Sequence, residues 1–449
     1  MTQPLDPTAA GIPSVQPGSM PRRTLLRGAG AAAAASVLPG IAKSQQRPAG
    51  DAELRIALIG CGGRGTGAAK NALKAAGKAK LVVMADAFQD RLDLSLETLS
   101  KEMPGLVDVP KERQFIGFDA FERAIDEDVD VVILTTPPGF RPAHFEYAVA
   151  QNKHVFMEKP VAVDAPGVRT VMKAGRDAED RGLCVGVGLQ RHHSLKYLET
   201  MAAVEDGAIG RPVTARVYWN SSGVWVKERE EGQTEMTYQM RNWYYFNWLC
   251  GDHIVEQHIH NLDVGNWVMG GVPVKAEGMG GRQVRTGPKY GEIFDHHAVE
   301  YTYANGSKMI SQCRHQPNVK NTVREFAAGT EGTVDFGNGR ITGYDGSKWR
   351  HEGNSDGFQQ EHHALFDAIR TGKKHNEAER GAQATMTAIL GRMCTYSGRE
   401  LTWEEALNSK RVLAPSGDLG RLTFDTVPKS VPGPDGLYPI PMPGQYEII

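Results

Sequence analysis

Between Leu54 and about Leu189, short apolar runs alternate with amphipathic stretches at the spacing of strand–helix units. The runs are Leu54–Ile59, Leu81–Ala85, Val129–Thr135, Val155–Met157 and Leu183–Val187. Each is rich in branched aliphatic residues and lacks polar alternation, as strands covered on both faces do. They predict a parallel sheet with right-handed crossovers. After Arg191 the pattern changes. Ser194–Asp206 reads as a helix, and Pro212–Asn220 alternates with period two. Val272–Gln283, Ala298–Tyr303, Ser307–Gln312 and Thr322–Phe326 read as an antiparallel meander, with Ala304-Asn305-Gly306 as a hairpin turn. Phe358–Thr371 and Ala378–Ser397 return to helical periodicity. Six prolines between Pro428 and Pro443 exclude regular structure at the end and predict an extended tail suited to wrapping a neighbouring subunit.

The expected class is α/β: a parallel-sheet domain over residues 51–190, then an α/β (α+β) domain over 191–420 with a large open, mainly antiparallel sheet. Residues 421–449 form the tail, and residues 1–50 stand outside the fold. In that leader, Pro21-Arg22-Arg23-Thr24-Leu25-Leu26-Arg27 precedes an Ala-rich apolar stretch, Gly28–Ala42. Paired arginines before a weakly hydrophobic run with small residues at its end resemble a twin-arginine export signal, with Gly40-Ile41-Ala42 as a cleavage site. The expected location is therefore the periplasm or beyond, with the twin-arginine export machinery as a partner.

Composition narrows the function. A chain of 449 residues with a net charge of −2 gives no electrostatic reason to bind nucleic acid or anionic membrane. Five scattered cysteines (Cys61, Cys184, Cys250, Cys313 and Cys394) show no paired spacing, which argues against a disulfide framework or a cysteine zinc site.

The first apolar run stops at Gly60-Cys61-Gly62-Gly63-Arg64-Gly65. Gly60 permits a tight turn, Gly62 lets backbone approach a pyrophosphate, and Gly65 lets the helix pack on the strand. The second run ends in Asp86, twenty-one residues after Gly65, placed for a carboxylate that takes adenosine ribose hydroxyls. Strand, glycine turn, helix, strand and acid predict a Rossmann site for a dinucleotide. Asp86 favours NAD; Arg64 or Arg91 can offset the repulsion of a 2′-phosphate, which keeps NADP open.

Three clusters sit beyond strand ends, where such folds bind ligands. Thr135-Thr136-Pro137-Pro138 with His144 supplies small hydroxyls at the cofactor edge. Glu158-Lys159-Pro160 offers a lysine for acid/base work, or only a solvated loop lysine. In Gly251–Asp263, helical spacing puts Glu256, His260 and Asp263 on one face, either as a proton-transfer device or as polar groups paired inside a core. His253, Glu256 and His260 also share a face and form a rival divalent-metal set, although their spacing matches no metalloprotease pattern and we assign no metal. The pairs His192–His193, His296–His297 and His362–His363 read as structural. Arg191 and the aromatic stretch from Trp243-Tyr244 to Trp248 suit a sugar ring or the core.

Taken in order, the glycine turn, the Thr-x-Pro loop, Glu158-Lys159-Pro160 and Glu256-x-x-x-His260-x-x-Asp263 resemble the Gfo/Idh/MocA oxidoreductases, the family of glucose–fructose oxidoreductase and inositol dehydrogenase. The resemblance covers residues 53 to about 400. It implies a Rossmann domain, a second domain whose open sheet often mediates homo-oligomers (dimers or tetramers), a catalytic role for Lys159, and acid/base work shared by His260 with the acid four positions earlier. Here that acid is Glu256, where the family typically has aspartate. Gly60, Gly62, Gly63, Arg64, Gly65, Asp86, Thr135, Thr136, Pro137, His144, Glu158 and Lys159 are expected at the cofactor. Lys159, Arg191, Trp243, Tyr244, His260 and Asp263 are expected at a sugar, polyol or glycoside substrate. Export implies a tightly held cofactor, either recycled within each turnover, which leaves transient oxidation leading to epimerisation or glycoside cleavage open, or reduced and reoxidised by two different substrates in sequence. A non-catalytic dinucleotide- or sugar-binding protein also stays open.

Overall fold

The computed structural model describes residues 49–448 except 354, 416 and 418. The paired arginines and the Ala-rich run lie outside the described residues. Six strands form a parallel sheet: β1 (Leu54–Ile59), β2 (Ala79–Asp86), β3 (Gln114–Ile116), β4 (Val131–Leu134), β5 (His154–Met157) and β6 (Val185–Val187). Their order is β3-β2-β1-β4-β5-β6, so the chain changes direction between β1 and β4 and opens a crevice beyond their carboxyl ends. The crossovers carry α1 (Gly63–Ala75), α2 (Gln89–Glu102), α3 (Ala120–Asp126), α4 (Arg141–Ala150) and α5 (Ala165–Asp180). The central strands are buried along nearly their whole length, which is why their sequences show no alternation. Of these six only β3 went unread: three half-buried residues at the sheet edge leave no apolar run.

Beyond β6, α6 (Leu195–Glu205) leads to β7 (Pro212–Ser221). The chain then makes an excursion through α7 (Glu235–Arg241), α8 (Asn247–Cys250), α9 (His253–Glu256) and α10 (Ile259–Met269). It returns as β8 (Lys275–Gly281), β9 (His296–Thr302), β10 (Lys308–His315), β11 (Thr322–Gly329), β12 (Gly332–Asp335), β13 (Arg340–Gly343) and β14 (Lys348–Arg350). With β15 (Leu401–Thr402) the order is β14-β13-β12-β11-β7-β10-β9-β8-β15. The sheet is not a simple meander, because β7 is inserted between β10 and β11, parallel to the first and antiparallel to the second. Strands β9 and β10 alternate buried and partly exposed positions, so one face is covered and the other open. The covered face packs on α10 and on α12 (Ala378–Ser397), which follows α11 (Gly357–Thr371). Gly265 makes this close approach possible: a Cβ there would meet Met309 Sδ at 2.1 Å. The closing segment runs from α13 (Trp403–Leu407) into the Pro-rich tail.

That tail packs on its own chain: the Ser409 hydroxyl donates to the Ile448 carbonyl at 2.5 Å, and the Tyr446 ring meets Tyr396 at 5.3 Å. The prolines keep the tail extended but leave its carbonyls free to accept from the body.

All five cysteines are buried free thiols. Burial pushes those of Cys61, Cys250 and Cys313 well above the ordinary thiol range. Three core histidines are held neutral. Burial lowers His154 to about 4, and its Nδ1 accepts the Cys184 N–H at 2.9 Å. Burial and then Arg141 lower His144 to about 3, with its ring stacked 4.1 Å from Phe121. Burial, followed by Arg64, lowers His362 to about 3. The unfolded chain takes up protons on these rings below about pH 6.5, whereas the folded chain does not until near their lowered values. Stability should therefore fall on acidification from pH 7 to 5, by about 2 kcal/mol for each such ring. Urea unfolding at pH 7, 6 and 5 should show the midpoint dropping at each step.

Candidate active site

β1 gives way to Gly60, whose φ is +97°. A Cβ there would lie 2.6 Å from Thr136 N, and one on Gly65 would lie 1.9 Å from the Gly60 carbonyl. Both contacts are with rigid backbone or a locked turn, so neither position tolerates a side chain. Gly62 and Gly63 face open space, and no side chain caps the start of α1. Its first N–H groups are left for an anion. They open on a cleft of about 490 Å3 lined also by Arg64, Asp86, Thr135, Thr136, Pro137, His144 and Trp243. An extended dinucleotide fits this combination of a bare helix start, a carboxylate and aromatic walls.

The cofactor candidates divide by what they touch. Asp86 accepts from Cys61 N–H at 2.6 Å and from Phe88 N–H at 2.9 Å, and burial raises its pKa. It thereby fixes the glycine turn while presenting its edge to the cleft. The Thr135 hydroxyl donates to the Gly60 carbonyl at 2.6 Å, locking two strand ends together. Thr136 Oγ1 and His144 Nδ1 pair at 3.2 Å. Arg64 is a correction to its reading as counter-charge for a 2′-phosphate. It lines the cleft but donates from Nε to Glu158 Oε1 at 2.5 Å and lies 4.9 Å over the Phe358 ring, so its charge is already paired. Glu158 is thus a buried partner of Arg64 and does not line the cleft. Glu361 sits beside that pair, and burial, reinforced by Glu158, pushes its carboxyl well up.

Lys159, Glu256 and His260 lie outside the main cleft. The expected continuous helix through Gly251–Asp263 is interrupted: α9 ends at Glu256 and α10 starts at Ile259. His258 N–H reaches back to the His253 carbonyl, and His260 N–H bonds Gln257. The Glu256 carbonyl is thereby released from the helix ladder and accepts Lys159 Nζ at 2.6 Å. Lys159 Nζ also lies 3.1 Å from Glu256 Oε1. His260 is buried, stacked 6.1 Å from Trp219. Burial, then the charges of Lys159, Arg191 and Arg64, hold its pKa well below the ordinary imidazole range. Tyr244 is buried near Glu256, and burial followed by that charge raises its hydroxyl. His260 Nδ1, Glu256 Oε2 and Tyr244 Oη are all buried with no hydrogen-bond partner.

The other substrate candidates are engaged elsewhere. Arg191 pairs with buried Glu325 at 2.6 Å. Asp263 faces His192 Nε2 at 2.8 Å, so the three polar residues expected on one helix face serve two different neighbourhoods. Trp243 lines the cofactor cleft.

The rival metal set does not assemble, because His253 turns its Nδ1 to Asp252 at 2.8 Å. The group that does gather is Asp252, His253 and His297. Asp252 has φ +76° and no solvent exposure. It accepts from His253 N–H, from Phe294 N–H at 2.9 Å and from the Tyr396 hydroxyl, with His297 Nε2 at 3.3 Å. Burial opposes its charge, but His297 and His253 win and hold the carboxyl well below the ordinary range. Its backbone carbonyl accepts from Val255 and Glu256 N–H, so this hub sets the turn that presents Glu256.

Sequence reasoning missed Phe88, Phe118, Phe121, Trp225, Lys227 and Arg241, which complete the cleft walls. A signal existed for two of them: Phe88 and Phe118 each stand two residues past the carboxyl end of a strand.

Comparison with known proteins agrees with this architecture. Residues 54–189 match the GFO/IDH/MocA family model described as an oxidoreductase family with an NAD-binding Rossmann fold. Residues 197–335 match the GFO/IDH/MocA C-terminal domain. The chain is 28% identical over 219 residues to an inositol 2-dehydrogenase of Klebsiella pneumoniae, covering 48% of this chain and 54% of that protein. To the scyllo-inositol 2-dehydrogenase (NAD(+)) of Bacillus subtilis it is 21% identical over 288 residues, covering 64% and 74%. The chain thus spans about half the length of the first of these curated relatives. Among solved structures, the aldose–aldose oxidoreductase of Caulobacter crescentus complexed with glycerol superposes with a TM-score of 0.63 at 19% identity, covering 78% of this chain and 99% of that one. A levoglucosan dehydrogenase in complex with NADH and levoglucosan gives 0.62 at 16% identity, with the same coverage. At these identities the likeness shows the fold.

Replacing Asp252 with asparagine leaves two imidazoles and a tyrosine hydroxyl around a neutral amide. Breaking a buried pair in this way should cost about 3–5 kcal/mol, read as a lowered urea midpoint.

Proposed function

Since the chain belongs to the GFO/IDH/MocA oxidoreductase family, we propose that it oxidises and reduces a carbon-borne hydroxyl of a sugar, polyol or glycoside, with NAD lying along the cleft between Gly60 and Asp86. The observation that carries this reading is three buried, unpartnered polar atoms, His260 Nδ1 and Glu256 Oε2 beside Lys159 and Tyr244 Oη beside Glu256. Each costs about 1–3 kcal/mol when left unpaired, and a polyhydroxylated ligand satisfies all three. A protein that only bound the dinucleotide would have no use for that arrangement.

NAD supplies the hydride acceptor at the carbon that loses hydrogen. This chain's residues handle the proton. Lys159 is held between the Glu256 carbonyl and carboxylate, so its ammonium has a fixed direction and can hydrogen-bond the substrate oxygen. Neutral His260 has a ring nitrogen free to take the hydroxyl proton. Glu256 balances the lysine charge and orients a neighbouring hydroxyl. Run forward and then in reverse on one substrate, the same groups would serve a recycled cofactor and allow epimerisation or cleavage through a keto intermediate. Arg241, which lines the cleft and pairs through its fork with both Asp90 oxygens at 2.7 Å, supports retention of the cofactor. Export through the twin-arginine route with the cofactor already loaded is part of the same proposal.

Two measurements test it. Acid denaturation of the purified full chain should release close to one nicotinamide per protein; a folded chain that carries none and binds none when NAD is added sinks the reading. Lys159→Met should retain NAD but lower turnover on the chain's substrate by about 100-fold or more, the size expected for loss of a positioned acid/base group. Screening sugars and inositols for a change in absorbance of the bound cofactor identifies that substrate.

A further inference from the structure

Phe424 lies in the Pro-rich tail, far from any strand end, yet its ring is 5.0 Å from Phe88 and 5.2 Å from Phe118. Both of those rings line the dinucleotide cleft, on the loops after β2 and β3. Phe88 is also two residues beyond Asp86, the carboxylate placed for the adenosine ribose, so these rings wall the adenosine end. Phe88 also carries the Arg241 guanidinium, 3.8 Å from the ring centroid. Phe88 is therefore held by both a cation from the second domain and a ring from the tail.

The tail is fixed where it does this. The Thr234 hydroxyl donates to the Phe424 carbonyl, and Gln239 donates to the Ser430 carbonyl at 2.6 Å. The Tyr438 hydroxyl donates to Glu235 and accepts from Arg229 at 3.1 Å, while its ring meets Phe246 edge-on at 4.9 Å. All of these partners belong to residues 229–246, the segment that also sends Arg241 across to Asp90. Tail and segment form one unit that spans the cleft at its adenosine end.

We propose that residues 422–438 are an intrachain latch for the dinucleotide: Phe424 positions Phe88 and Phe118 against the adenosine half, and the anchors at Ser430 and Tyr438 keep it there. The ligand class is an adenine dinucleotide, whose flat base suits aromatic walls held at fixed spacing. This inference rests on reading the cleft as an NAD site and adds the element that slows release. A purely structural tail would stabilise the fold without affecting how long the cofactor stays.

The test uses the full chain loaded with NADH and chased with excess NAD, release being followed by the fluorescence of bound NADH. Phe424→Ala should release NADH about tenfold faster than the parent, because two ring contacts of ordinary strength are lost. Phe424→Leu, which refills most of the volume, should restore release to within about threefold. Release from Phe424→Ala at the parental rate, or equal acceleration in Phe424→Leu, overturns the latch. If Phe424→Ala does not fold, Tyr438→Phe, which removes only the anchoring hydroxyl, should still speed release about threefold, and parental release from it overturns the latch. A parent chain that binds no NADH at all fails differently, since it removes the cofactor reading as well.

Discussion

The site is organised around the placement of the Lys159 ammonium against the Glu256 main chain. Lys159 belongs to the loop after β5, in the parallel-sheet domain, and Glu256 to the excursion between β7 and β8. The contact needs a carbonyl that no helix has already used, so α9 must stop where it does. That stop depends on Asp252, whose left-handed backbone and saturated carboxylate are maintained by His253, His297, Phe294 and Tyr396. A chain of local requirements thus runs from the floor of the second sheet to one lysine. Gly265 belongs to it too, since it lets α10, the helix that carries His260, lie close on the Met309 and Val217 side chains.

Charge in this region is arranged by opposition. Arg64 and Lys159 arrive from the Rossmann side, and Glu158, Glu256 and Glu361 surround them. His260 sits among the cations and stays neutral, for burial and like charge act in the same direction. Asp252 is buried as completely as His260 but stays ionised, because its neighbours are donors. For His260 burial leads and its neighbours add to it; for Asp252 the neighbours overrule burial.

Much of this was legible in the sequence. Leu54–Ile59 and Ala378–Ser397 were read to the residue, because uninterrupted apolar character and strict helical period leave little freedom. The glycine turn was legible because Gly60 and Gly65 are required by contacts that any such turn creates. The break after Glu256 was not, since Glu256-Gln257-His258-Ile259-His260 has unbroken helical periodicity and the interruption is imposed by tertiary partners. The insertion of β7 between β10 and β11 was equally hidden, as pairing partners leave no mark on a single strand's alternation. Arg64 misled because its position in the turn is local information, whereas its partner Glu158 is 94 residues away. The tail was read as free of regular structure, and no helix or strand follows Arg421 among the described residues, but composition does not say which surface such a segment lies on.

The five thiols have a consequence for the chain's relation to its surroundings. None is paired and none is exposed, and burial keeps the reactive thiolate form scarce. The fold therefore uses no disulfide, and its thiols are shielded from oxidants while the structure stays closed. The same shielding turns the cysteines into native reporters. A thiol reagent that meets them only when the structure opens measures, with no label introduced, how often each part of the molecule comes apart.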